Sequence, residues 1–228
     1  VAVDTICLAG IDNRSRGKHI VWDNGPEHLQ AVAGRDWIAL ASHFGCWEYF
    51  PMYAWEAEGD RFMAVYHPLR SKVFEAYYRR IRQFAPNIDQ VPMKSSLRHY
   101  ITHRSTEHGI GLGLISDQSP ILMADTEWIE FFGQPTAFVD GGERLALKFK
   151  LPVYFCRIRR IRAGQYGVAM ELIYDGQEQV ARNEIMRRYA ERLESMIRET
   201  PELWMWSHRR WKHTPEKQAK RFGKSTLE

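Results

Sequence analysis

The chain has 228 residues, 44% of them hydrophobic and 26% charged, a balance ordinary for a globular fold with a sizeable core. A net charge of +4 and eight tryptophans suit an anionic partner, either membrane or nucleic acid. Three widely spaced cysteines, Cys7, Cys46 and Cys156, exclude a disulfide framework and a zinc set and favour a reducing compartment. No apolar run approaches the roughly 20 residues of a membrane span.

Residues 1–11 are apolar except for Asp4 and predict a short helix. Residues 13–17 form a turn and 19–22 a short strand. Asn24-Gly25 turns into Pro26, which suits the first position of a helix over 27–33, stopped by Gly34. Residues 36–41 are an apolar run of strand character. Ser42-His43-Phe44-Gly45-Cys46-Trp47-Glu48 follows, and apolar positions Trp47, Phe50, Tyr53 and Ala54 predict a helix over 46–56.

His43 therefore leaves a strand end, with Glu48 in the first turns of the next helix. Strand ends in α/β sheets are where sites are built. The carboxylate can hold one imidazole nitrogen and leave the other to take a proton from a hydroxyl. The bland alternative is a capping or packing histidine, since the pair's spacing also arises by chance. A metal pair on a helix wants i,i+4 spacing and a third ligand, and no H-E-x-x-H is present. No G-x-S-x-G elbow occurs, and Cys46 reads as a packing residue.

Beyond the motif, 62–66 is a strand ending in His67-Pro68-Leu69-Arg70. A helix over 71–84 puts Val73, Tyr77, Ile81 and Phe84 on one face, with Arg79, Arg80 and Arg82 elsewhere. Residues 88–92 are extended, and 97–106 form a helix capped by Ser95 or Ser96. The apolar run 109–116 is a buried strand; its glycines lie inside the strand and open no helix, so they are not a dinucleotide fingerprint. It ends in Asp117-Gln118-Ser119-Pro120. A strand over 126–132, a helix over 143–150, and a hairpin of 152–159 with 166–173 at an antiparallel sheet edge come next. The longest helix is 178–200. A polar, basic and mobile tail is expected over 213–224.

His43-Phe44-Gly45-x-Trp47-Glu48 resembles the H-x4-[D/E] signature of glycerolipid-type acyltransferases, and most closely the HFGNWE form of the bacterial lipid A late acyltransferases. The resemblance runs from about residue 20 to 212 through ordered blocks. Tyr66-His67-Pro68 resembles a V-Y-[RKH]-P segment, with His where many members have Arg, so Arg70 and Lys72 are candidates for the missing charge on a phosphate. Asp117-Gln118 resembles a D-Q block beside the catalytic histidine, where an Asp can orient a cation or a substrate hydroxyl. Gly133-Gln134-Pro135-Thr136 resembles F-x-G-x-P-[AT], which in relatives lies over the acyl and acceptor groove. Trp206-Ser207-His208-Arg209-Arg210-Trp211-Lys212 resembles the closing W-x-H-R-R-[FW]-K block.

The fold class expected is α/β: a single domain over 1–228, with a central, mostly parallel or mixed β-sheet flanked by helices. The resemblance implies acyl transfer from an acyl-acyl carrier protein thioester, or acyl-CoA, to a hydroxyl of a phosphorylated lipid A precursor. His43 would be the base and Glu48 its orienting partner. Gly45, Trp47, His67, Arg70, Asp117, Gln118, Arg209 and Arg210 would bind substrate, and the backbone after His43 or Arg70 would hold the oxyanion. It implies no metal, cofactor or nucleic acid. It further implies an anionic membrane partner at the cytoplasmic face of the bacterial inner membrane, and an N-terminal membrane helix upstream of Val1. The rivals are another membrane lipid or glycolipid as acceptor, a degenerate relative, and a nucleic-acid binder with aromatics for stacking, against which the scattered basic residues count.

Overall fold

The computed structural model describes residues 8–223, apart from 58, 84, 105 and 106. Its strands are β1 (Ile20–Trp22), β2 (Trp37–Ala41), β3 (Arg61–Tyr66), β4 (Ile88–Pro92), β5 (Ile110–Ile115), β6 (Ile129–Phe131), β7 (Gln134–Thr136), β8 (Val153–Arg162) and β9 (Gln165–Tyr174). Its α-helices are α1 (Gly25–Val32), α2 (Lys72–Ile81), α3 (Ser96–His103), α4 (Gly141–Phe149), α5 (Glu184–Glu199) and α6 (Pro215–Phe222).

One mixed sheet of seven strands, ordered β1-β9-β8-β2-β5-β3-β4, forms the centre of an α/β fold. From β8 to β4 the neighbours are parallel; β9 runs antiparallel to β8, and β1 is parallel to β9. All five residues of β2 are buried, as a central parallel strand covered on both faces requires. On one face Trp37 meets His28, Tyr53 and Tyr154 edge-on. On the other, Phe155 packs on Tyr189 of α5, and Leu40 lies where a Cβ on Gly142 of α4 would reach. The glycines of β5 leave room for aromatics: a Cβ at Gly111 would stand 2.7 Å from the Trp37 ring, and one at Gly113 2.7 Å from Phe62.

Several predicted elements differ. Residues Trp47–Trp55 form a 3₁₀ helix instead of an amphipathic α-helix, buried throughout except at Trp55. Pro51 inside it has no N–H and would clash with an α-helical turn. The strand expected over 126–132 shrinks to β6, which pairs with β7 across a turn at Phe132 (φ 53°) and Gly133 (φ 69°). The longest helix starts at Glu184, because Asn183 is left-handed and its N–H donates to Glu143. The basic tail is not mobile throughout: Pro215–Phe222 is helix α6. Buried Gln218 anchors it, donating to the carbonyls of Met123, Ala124 and Thr126 and accepting from the Trp128 indole.

The apolar face expected on α2 is largely not buried. Ile81 packs inward, Val73 and Tyr77 face solvent, and Phe84 lies outside the described residues. Most of the expected helix at 1–11 also lies outside them. Among the described residues no helix is long and apolar enough to cross a membrane.

Candidate active site

The parallel strands β2 and β5 are adjacent and in register, with Ala41 opposite Ile115. Their C-terminal ends therefore deliver His43 and Asp117 to the same point. Tyr189 holds the end of β2 by donating its hydroxyl hydrogen to the Ala41 carbonyl at 2.8 Å.

The imidazole Nδ1 of His43 is 2.7 Å from Asp117 Oδ1, and the His43 backbone N–H donates to Asp117 Oδ2 at 3.0 Å. The Trp204 indole donates to the same Oδ2 at 2.9 Å. Three donors thus converge on one buried carboxylate. Burial works to raise the Asp117 pKa, but the hydrogen bond and charge of His43, with help from Trp204, outweigh it and hold the carboxyl below the ordinary aspartate value. An ionised Asp117 accepts from Nδ1–H and so leaves Nε2 with its lone pair. The Gln118 side-chain nitrogen stands 3.3 Å from that Nε2, and the Trp47 ring packs edge-on against the imidazole at 5.0 Å. The His43 side chain keeps 19% exposure, enough to meet a substrate.

Glu48 is placed elsewhere. Arg82, just past α2, grips its carboxylate through two bonds, Nε to Oε2 at 2.8 Å and Nη2 to Oε1 at 2.6 Å. Burial works against the Arg82 charge, and Glu48 more than offsets it, raising the guanidinium pKa. The reading of Glu48 as the imidazole's orienting partner is therefore corrected: Asp117 makes that bond. Arg82, which the sequence placed only off the apolar face of its helix, is the partner of Glu48.

The turn between His43 and Trp47 is tied to the closing block. Gly45 N–H donates to Leu203 O and Met205 N–H to His43 O. Gly45 is buried and left-handed (φ 54°), and a Cβ there would lie 3.2 Å from Ile158 and Tyr166. Its conformation makes the turn. The backbone N–H groups of His43, Phe44 and Gly45 donate to Asp117, Ser42 and Leu203. They point into the fold, so the oxyanion role expected of the backbone after His43 is not supported.

The other residues singled out separate by depth. Arg210 is buried, its guanidinium 4.3 Å above the Phe138 ring, and burial lowers its pKa to about 10. It is packed between Phe131 and Phe138 rather than held at the surface. Arg209 is exposed, and its carbonyl and that of Arg210 accept from the Ser119 hydroxyl at 3.5 and 2.6 Å. Ser119 N–H also donates to His208 Nε2, which fits the lowered His208 pKa, caused first by burial. These bonds place Arg209 beside the Asp117–Ser119 segment. His67 and Arg70 are exposed past the end of β3, on the same sheet edge as His43. Two open hollows of the surface, one beside Asp60 and Asn87 and one along α5, are lined by neither His43 nor Asp117. Among the described residues no group of three His, Cys, Asp or Glu side chains could hold a metal ion.

A protein-family model described as bacterial lipid A biosynthesis acyltransferase matches residues 2–213. The chain belongs to that family. It is accordingly an acyltransferase of lipid A biosynthesis, and the family match covers every residue of the site just described. A search of curated proteins returns no match. Sequence reasoning missed Trp204 as a partner of Asp117 and Arg82 as the partner of Glu48. An indole just before the closing block was the available signal for the first; nothing local singled out Arg82 from Arg79 and Arg80.

Proposed function

We propose that this acyltransferase moves a fatty acyl chain from the thioester of acyl carrier protein to a hydroxyl of a lipid A precursor, with His43 as general base. The observation that carries the reading is the bond from His43 Nδ1 to buried Asp117, which leaves Nε2 as a proton acceptor at the end of β2. Nε2 takes the proton of the acceptor hydroxyl as its oxygen attacks the thioester carbonyl. The tetrahedral intermediate collapses with cleavage of the C–S bond. The proton on Nε2 passes to the leaving thiolate, giving an ester and a free thiol. Asp117 keeps the tautomer and stabilises the imidazolium while it exists.

Gln118, whose amide is beside Nε2, donates to the oxygen that occupies that position. Exposed His67, Arg70 and Arg209 carry the contacts to acceptor phosphate and to the acidic carrier protein. Glu48 and Arg82 brace the 3₁₀ segment that holds Trp47 against the imidazole. The work takes place at the cytoplasmic face of the inner membrane.

The test is acyl transfer by membranes carrying the protein, with acyl carrier protein or CoA thioester as donor and products read by mass. A gain of one acyl mass on a lipid A precursor, lost in His43→Ala, is expected. Transfer that survives His43→Ala removes the general-base assignment. Transfer to a different glycolipid keeps the chemistry and replaces the acceptor.

A further inference from the structure

The segments that follow β3, β4 and β5 carry large apolar side chains into solvent. Val73 and Phe74 on α2 are 78% and 61% exposed. Met93 and Leu97, spaced i,i+4 into α3, are 49% and 41% exposed, and Ile121 and Met123, past β5, are 83% and 57% exposed. Scattered apolar residues need no explanation, but these gather in one place by topology. β5, β3 and β4 are consecutive parallel neighbours, so the segments leaving their C-terminal ends share one edge of the sheet, the edge that bears His43 and Asp117.

The charges on the segments after β3 and β4 are one-sided, whereas the segment after β5 carries no cation. Residues 67–80 hold Arg70, Lys72, Arg79 and Arg80 against Glu75 alone, and residues 93–98 hold Lys94 and Arg98 with no acid. Glu75 is already engaged by the Tyr66 hydroxyl and the Leu69 N–H. Arg70, Lys72, Lys94 and Arg98 are exposed and make no ion pair among the described residues. Cations on the β8–β9 hairpin and α5 behave differently: Arg157, Arg159, Arg188 and Arg198 each have a carboxylate partner.

We propose that this rim is a docking surface for an anionic lipid bilayer, with its apolar side chains entering the headgroup boundary and its unpaired cations meeting lipid phosphates. Amphipathic segments with a basic polar face bind membranes in this way, through buried apolar area plus attraction to anionic lipid. Docking on this edge turns the His43 opening toward the membrane, so an acceptor lipid reaches Nε2 without leaving the bilayer. That last consequence rests on the lipid-acceptor reading above; the docking itself does not.

The test is sedimentation of the protein with phosphatidylcholine vesicles, with and without phosphatidylglycerol. The native protein is expected to bind the anionic vesicles and to release as salt is raised. The variants Val73→Asp/Phe74→Asp and Lys94→Glu/Arg98→Glu should each weaken binding by about tenfold or more, while Arg35→Glu, exposed just before β2 at the opposite end of the sheet, leaves it unchanged. Circular dichroism and thermal unfolding check that each variant folds. Transfer to an acceptor dispersed in detergent should persist in both double variants, and transfer to acceptor embedded in vesicles should fall with binding. Native vesicle binding by both double variants overturns the proposal. So does unchanged vesicle binding together with lost binding to acyl carrier protein, which would give the rim to an acidic protein. Vesicle binding that follows the expected pattern without transfer to any lipid keeps the surface and removes the acceptor reading.

Discussion

Replacing Asp117 by Asn tests which carboxylate orients His43, because the two amide orientations have different costs. In one, the amide oxygen faces His43 Nδ1 and the NH₂ group faces two donors, the His43 backbone N–H and the Trp204 indole. Both buried donors then lose their acceptor, at about 1–3 kcal/mol each. In the other, the oxygen accepts from both N–H groups and the NH₂ donates to Nδ1. Every hydrogen bond is then satisfied, but the imidazole proton is forced onto Nε2 and the base is lost. The second orientation is preferred by roughly 2–6 kcal/mol, less the cost of switching tautomer. Asp117→Asn should therefore lower the transfer rate about 10²–10⁴-fold, the usual worth of a positioned base, while unfolding free energy falls by no more than about 1–2 kcal/mol. Initial rates with labelled acyl donor and urea unfolding give the two readouts. Near-native transfer by Asp117→Asn, with loss of transfer in a stably folded Glu48→Gln, would refute the reasoning and return the orienting role to Glu48.

Removing either partner of the Glu48–Arg82 pair strands a mostly buried charge, so Glu48→Gln and Arg82→Met should each cost about 3–5 kcal/mol. The double variant should cost clearly less than the sum, measured as a double-mutant cycle in urea. His28, buried among Trp37, Tyr53 and Tyr154, is held neutral by burial, its pKa lowered to about 4. The unfolded chain protonates this histidine near its ordinary 6.5 and the native protein does not, so stability should fall as pH drops from 6.5 to about 4. The loss should reach about 3 kcal/mol, and His28→Phe should flatten that part of a stability–pH profile. Gly45→Ala meets both a left-handed backbone and a Cβ 3.2 Å from Ile158 and Tyr166. It should cost about 2–4 kcal/mol and reduce transfer with it, read by thermal unfolding and rate.

The sequence by itself determined the strand and helix alternation, because buried parallel strands such as Trp37–Ala41 and Ile110–Ile115 are short apolar runs bounded by turn residues. It also determined that His43 follows a strand, and the ordered motifs that mark the family. Only the tertiary structure decided the partners. Asp117 lies 74 residues from His43 and reaches it because β2 and β5 are neighbours, a pairing that no local pattern encodes. Glu48 is five positions from His43, but the left-handed Gly45 and the 3₁₀ turn that Pro51 imposes direct it to Arg82. Spacing ranks nearby residues by chain distance, whereas hydrogen bonds depend on where strand ends meet. The same limit explains α2: its apolar face is plain in the sequence, but whether Val73 and Tyr77 meet a core or solvent depends on which neighbours the sheet order supplies.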